Sequence, residues 1–140
     1  MKIQNTKVRE TLLGLIFEGN EEGIGELPEF RLLERRSSFE DSRNRYSCYQ
    51  YVFELDNMTP WRQDDLSFSE WRKVQEKYTE VKNFKKGDIL VYSLLDIPYH
   101  VAIAIDDYYA RSKFGYGNIY KHPILAVPHH YGDILNGFRI

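Results

Sequence analysis

The chain has 140 residues, enough for one domain that buries a sizeable core. Its composition, 42% hydrophobic and 29% charged, is that of an ordinary soluble globular protein, with no low-complexity or repeat signature. A formal net charge of -2 leaves no electrostatic footprint for nucleic acid or an anionic membrane, so neither is expected as a partner.

Aromatic content is the exception: 11 Tyr, 8 Phe and 2 Trp suit a carbohydrate- or peptide-lined groove, and equally a small core finished with half-buried tyrosines. A single cysteine cannot form an intramolecular disulfide, so the fold does not depend on an oxidising compartment. Met1 to Lys7 lacks the apolar stretch of a signal peptide, and no run approaches the ~18 apolar residues of a membrane span. The expectation is a soluble cytoplasmic protein, unless a secretion system or lysis delivers it elsewhere.

In chain order, residues 7–18 place Val8, Leu12, Leu15 and Ile16 on one helical stripe, with Thr6 as cap and Gly19-Asn20 as stop. Residues 23–28 read as loop, and 29–36 as either a short strand or a helical turn. The polar stretch 37–45 leads to a helix beginning near Ser47 or Cys48 and ending near Leu55. A second helix is signalled by Ser67 or Ser69 as cap and by Trp71, Val74 and Tyr78 on one face. From Lys85 the pattern turns β. Lys86-Gly87-Asp88 is a turn, Ile89 to Tyr92 a strand, Val101 to Ile105 another, and Asp106-Asp107 a tight turn. Tyr108 to Phe114 is the return strand, Ile119 to Pro123 follows, Val127 to Asp133 is loop, and a last strand falls near Asn136 to Ile140. Helices first and antiparallel strands after give an α+β domain, a single unit over 1–140 with 1–43 as an N-terminal extension of a 44–140 core.

Cys48 at a helix start and His100 on a strand are the residues that carry chemistry. Only a thiolate attacks, and the free N–H groups and dipole of a helix N-terminus favour that charge. A histidine across a cleft takes the thiol proton and later returns it to the leaving amine. The Cys48 N–H is the natural donor to the oxyanion. The plain alternative is a core thiol and a satisfied histidine. His129-His130 suggests a metal pair, but neighbours in a strand point apart and no partner ligand spacing accompanies them, so no metal is expected. Lys113, on the strand face opposite Ser112, is expected to be exposed.

Cys48, then Lys86-Gly87-Asp88-Ile89-Leu90-Val91-Tyr92, then His100-Val101-Ala102-Ile103-Ala104-Ile105, resembles the core of NlpC-type peptidases in the papain-like cysteine hydrolase superfamily. The resemblance covers roughly residues 44–115. It implies a papain-like core, a thiol hydrolase acting on an amide of a peptide or peptidoglycan-like substrate, and no metal or organic cofactor. Its third polar residue, on the strand after the histidine, corresponds to Ser112. Ser112-Lys113-Phe114-Gly115, followed by His122-Pro123, is also similar to a less characterised bacterial branch, which makes His122 the other candidate. Tyr46, two residues before the cysteine, is a candidate to donate to the oxyanion or to line the cleft, and Tyr46 and Tyr49 are the candidate substrate-binding residues. Two departures stand out: Tyr46-Ser47-Cys48-Tyr49 replaces the Asp-Cys-Ser-Gly of typical peptidoglycan enzymes, and Lys86 replaces the usual proline. The rival expectations are a binding or regulatory module that keeps this fold without turnover, and a scaffold in which Cys48 is core.

Overall fold

The computed structural model describes residues 1–35, 52, 76–114 and 118–140. Helix α1 spans Lys7–Glu18 with the Thr6 hydroxyl accepting from the Arg9 amide, and Gly19 ends it at φ 67, a left-handed cap that glycine adopts without strain. Leu12 is fully buried, and Val8, Leu15 and Ile16 pack against the same core, as the stripe predicts. The segment read as loop instead forms a short helix, α2, at Glu21–Gly25. Its two glycines weaken helical propensity, but Asn20 caps it by accepting from the Gly23 amide, and buried Ile24 anchors it.

Seven strands follow: β1 Arg31–Glu34, β2 Thr79–Val81, β3 Ile89–Leu94, β4 Ile97–Ala104, β5 Tyr109–Lys113, β6 Ile119–Pro123 and β7 Ile134–Arg139. They make one antiparallel sheet in the order β1-β6-β5-β4-β3-β7-β2. The fold is therefore α+β, as expected. The ambiguous segment after residue 29 supplies strand β1, whereas β2 is a short, largely polar strand at the far edge that the sequence pattern does not signal. The predicted helix near 47–55 lies outside the described residues except for Val52, which is helical and buried. The second predicted helix also lies outside them, apart from 76–78, which form a turn.

One face of the sheet carries the main core. Leu90 and Tyr92, Ala102 and Ala104, Ala110 and Phe114, and Tyr120 pack there with Ile3, Leu12, Ile24 and Phe30 from the N-terminal segment. The segment read as an extension thus shares the core of the sheet and supplies its edge strand β1. The opposite face is buried too, at Ile89, Val91, Val101, Ile103 and Ile119. Lys113 belongs to that face, as alternation requires, yet it is fully buried rather than exposed, because this sheet has no solvent-facing side there.

Arg9 ties the two ends of the chain together. Its buried guanidinium donates from Nε to Val127 O at 2.9 Å, from Nη1 to Gln4 O at 3.1 Å, and from Nη2 to Gly132 O at 3.1 Å and Asp133 Oδ1 at 3.0 Å. A buried charge is tolerable only when it is paired and its donors are satisfied, and the loop 127–133 does both. Gly132, at φ 110, presses this loop against β3 so closely that a Cβ would lie 2.3 Å from Ser93 O.

Candidate functional site

Asp88 follows the Gly87 turn, where φ is 91, and opens β3. Its carboxylate accepts from the Lys85 amide at 2.7 Å and from Arg139 Nε and Nη2 at 2.8 and 2.7 Å, a bidentate pair between β3 and β7. Burial pushes this carboxyl up, but the Arg139 and Lys85 hydrogen bonds and charges outweigh it and hold it below the ordinary value. In the described structure this residue shapes the turn and clamps two strands.

His100 lies in the middle of β4, beside Tyr92 of β3 in register, and is fully buried. Its imidazole packs among three aromatic rings of the described residues. Tyr131 stacks on it at 4.4 Å and 13°, Phe114 at 5.7 Å and 23°, and Tyr92 approaches at 5.5 Å. Neither ring nitrogen has a hydrogen-bond partner among the described residues. Burial, then the neighbouring His122 and His130, holds the ring well below the usual histidine range, so it is neutral at neutral pH.

Ser112 and His122 face each other. Ser112 Oγ and His122 Nε2 are 2.7 Å apart, and His122 Nδ1 lies 2.7 Å from Pro123 O. A carbonyl only accepts, so Nδ1 carries the proton and Nε2 accepts from the Ser112 hydroxyl. Burial lowers His122 to about 4, opposed by the bond to Pro123.

The two candidates for the third position therefore satisfy each other, and neither bonds to His100. Strand register is the cause. Ile103 pairs with Arg111, and continuing that pairing sets Phe114, not Ser112, opposite His100. The Phe114 ring contacts both imidazoles, 5.7 Å from His100 and 5.1 Å from His122. Cys48, Tyr46 and Tyr49 lie outside the described residues.

Sequence reasoning missed Arg9 and Tyr131. Arg9 sits beside the apolar stripe of α1, where a lone cation reads as solvated; Tyr131 sits in a segment read as plain loop, which forms a 3-10 turn at His129–Tyr131. His129 pairs with Asp133 through Nδ1 at 3.0 Å, while His130 stacks on Phe17 and meets Tyr131 at a tilt of 52°. Among the described residues there is no cluster of three or more metal-ligating side chains, and no helix long and apolar enough to cross a membrane. Comparison with protein-family models, curated proteins and solved structures finds no match to this chain.

Proposed function

We propose that the chain is a papain-like thiol hydrolase of NlpC type, in which Cys48 attacks the carbonyl of a peptide or peptidoglycan-like amide and His100 takes the thiol proton. The observation that carries this reading is His100 itself. Buried imidazoles are normally hydrogen-bonded, and this one has both nitrogens unpaired among the described residues, while buried His122 nearby is satisfied. Such a group is available to a reacting proton.

Because burial keeps His100 neutral, it acts as a general base rather than resting as the cation of an ion pair. The sulfur–carbon bond forms as the thiol proton passes to the imidazole, and the Cys48 N–H receives the developing oxyanion. The imidazolium then protonates the leaving amine as the C–N bond breaks. Water attacks the acyl-enzyme, giving a proton to the ring, and that proton returns to the sulfur as the S–C bond breaks and the acid leaves.

Alkylation tests this. Iodoacetamide modifies Cys48 at near-neutral pH much faster than it modifies free cysteine, and His100→Ala removes that advantage. Slow chemistry insensitive to His100 overturns the reading. A second reading, a binding or regulatory module without turnover, is favoured by the Tyr131 ring covering one face of His100 and by the self-satisfied Ser112–His122 pair. It predicts ordinary Cys48 reactivity with an intact fold.

A further inference from the structure

A catalytic histidine needs something to fix its ring, and in thiol and serine hydrolases a hydrogen bond to the second nitrogen does this. His100 has no such bond among the described residues, where its contacts are with aromatic rings. The geometry points to Tyr131 as the positioning residue of His100, held in place by Arg9; this rests on the hydrolase reading above.

Three observations support the assignment. Tyr131 lies nearly parallel to the imidazole, with 13° between the ring planes at 4.4 Å, closer than Tyr92 or Phe114 among the described residues. Stacked aromatic pairs of this kind restrict a ring beyond what area burial alone supplies. Arg9 grips the chain on both sides of Tyr131, at Val127 before it and at Gly132 and Asp133 after it. Gly132, packed against Ser93 of β3, leaves the loop no room to slide toward the sheet. The chain thus runs from a guanidinium on α1, through a clamped loop, to one face of the candidate base. Phe114 packs against His100 from a second direction at 5.7 Å and lies 6.1 Å from Tyr131.

Ring contacts of this kind fix the plane of an imidazole but not which nitrogen carries the proton. His100 is therefore free to exchange tautomers, as a group that must both take and return a proton requires.

Nuclear magnetic resonance of the full chain labelled at histidine gives the direct test, with iodoacetamide alkylation of Cys48 as the chemical readout. In the unmodified protein the His100 ring protons are shifted by the Tyr131 and Phe114 ring currents. Tyr131→Leu moves them toward ordinary values and slows alkylation on the order of 10²-fold, the scale of a small displacement of a reacting group. Tyr131→Phe, which keeps the ring and removes the hydroxyl, retains both signatures. Arg9→Met reproduces Tyr131→Leu in direction.

Unperturbed His100 shifts in the unmodified protein overturn the proposal without any variant having to fold. So does a folded Tyr131→Leu chain whose His100 shifts are unchanged. The hydrolase reading fails separately, when the unmodified protein alkylates slowly and His100→Ala changes nothing. The His100 shifts still decide then whether Tyr131 positions the ring.

Discussion

Ser112 donates its hydroxyl proton to His122 Nε2 across 2.7 Å in the core, and the other His122 nitrogen donates to Pro123 O at the same distance. Every polar atom of the imidazole is thus occupied, which is what lets a histidine remain in an apolar site. Ser112→Ala leaves Nε2 without its donor and costs about 1 to 3 kcal/mol, read as a lower urea midpoint with an unchanged slope. An unchanged midpoint contradicts the pairing.

The same residue makes stability depend on pH. Folded His122 titrates at about 4, against 6.5 for the ordinary side chain. Above 6.5 neither state binds the proton and nothing is lost. As pH falls from 6.5 to about 4 the unfolded chain binds a proton that the folded one refuses, and stability declines by roughly 3 kcal/mol. Below about 4 this contribution levels off. His100, depressed by burial and by His122 and His130, acts in the same direction. The urea midpoint, followed through that window, falls in the native chain and falls less steeply in His122→Gln. A flat native profile refutes the argument.

Asp88 works with the opposite sign. Its carboxyl is held below the ordinary range by Arg139 and Lys85 despite burial, so its contribution is present above the ordinary carboxyl value and is lost as pH falls through the folded one. Asp88→Asn removes a charge-assisted bidentate contact and lowers stability by roughly 1.5 to 3 kcal/mol at neutral pH. Thermal unfolding at neutral pH and again at acid pH checks this: the gap between Asp88→Asn and the native chain narrows in acid.

Gly132 has no substitute. An alanine there meets Ser93 O at 2.3 Å on a backbone already at φ 110, and neither the strand nor the loop held by Arg9 has slack to yield. Gly132→Ala destabilises by more than about 3 kcal/mol, through left-handed strain and the backbone clash together. Gly14 provides the comparison, because a Cβ added there meets nothing within 4 Å, and Gly14→Ala is neutral or stabilising. Equal melting temperatures for the two variants refute the contrast.

The β3–β4 hairpin turns at Leu95 and Asp96, both left-handed at φ 51 and 64. Two-residue loops of this hand favour Asn-Gly, and side chains such as leucine carry a steric cost there. Replacing the pair by Asn-Gly stabilises the fold by about 1 to 2 kcal/mol, visible as a rise in melting temperature. A fall would show that the exposed Leu95 side chain makes a contact that the turn preference does not outweigh.

Much of this fold is legible in the residues. Thr6 and Gly19 bracket α1, and alternation around His100 and Ser112 marks β4 and β5. What escapes depends on contacts across the chain. Helix α2 forms around two glycines because Asn20 caps it and Tyr120 donates to Glu21, neither of which a local pattern registers. The burial of Lys113 follows from a sheet buried on both faces, which alternation alone cannot distinguish from a half-solvated one. The partnership of Ser112 with His122 is hidden for a similar reason. A sequence offset counts residues, but the Asp106–Tyr109 turn sets the register, and one same-face step replaces Ser112 by Phe114 beside His100.

Arg9 has a consequence for the order in which the molecule is made. Its guanidinium finds acceptors at Val127, Gly132 and Asp133, so its longest-range contact spans 124 residues. During synthesis the first helix emerges long before the carbonyls that will receive its charge. Burying α1 before residues 127–133 are in place would leave that charge short of acceptors, which costs free energy. The buried arginine thereby makes docking of the N-terminal helix energetically dependent on the C-terminal loop.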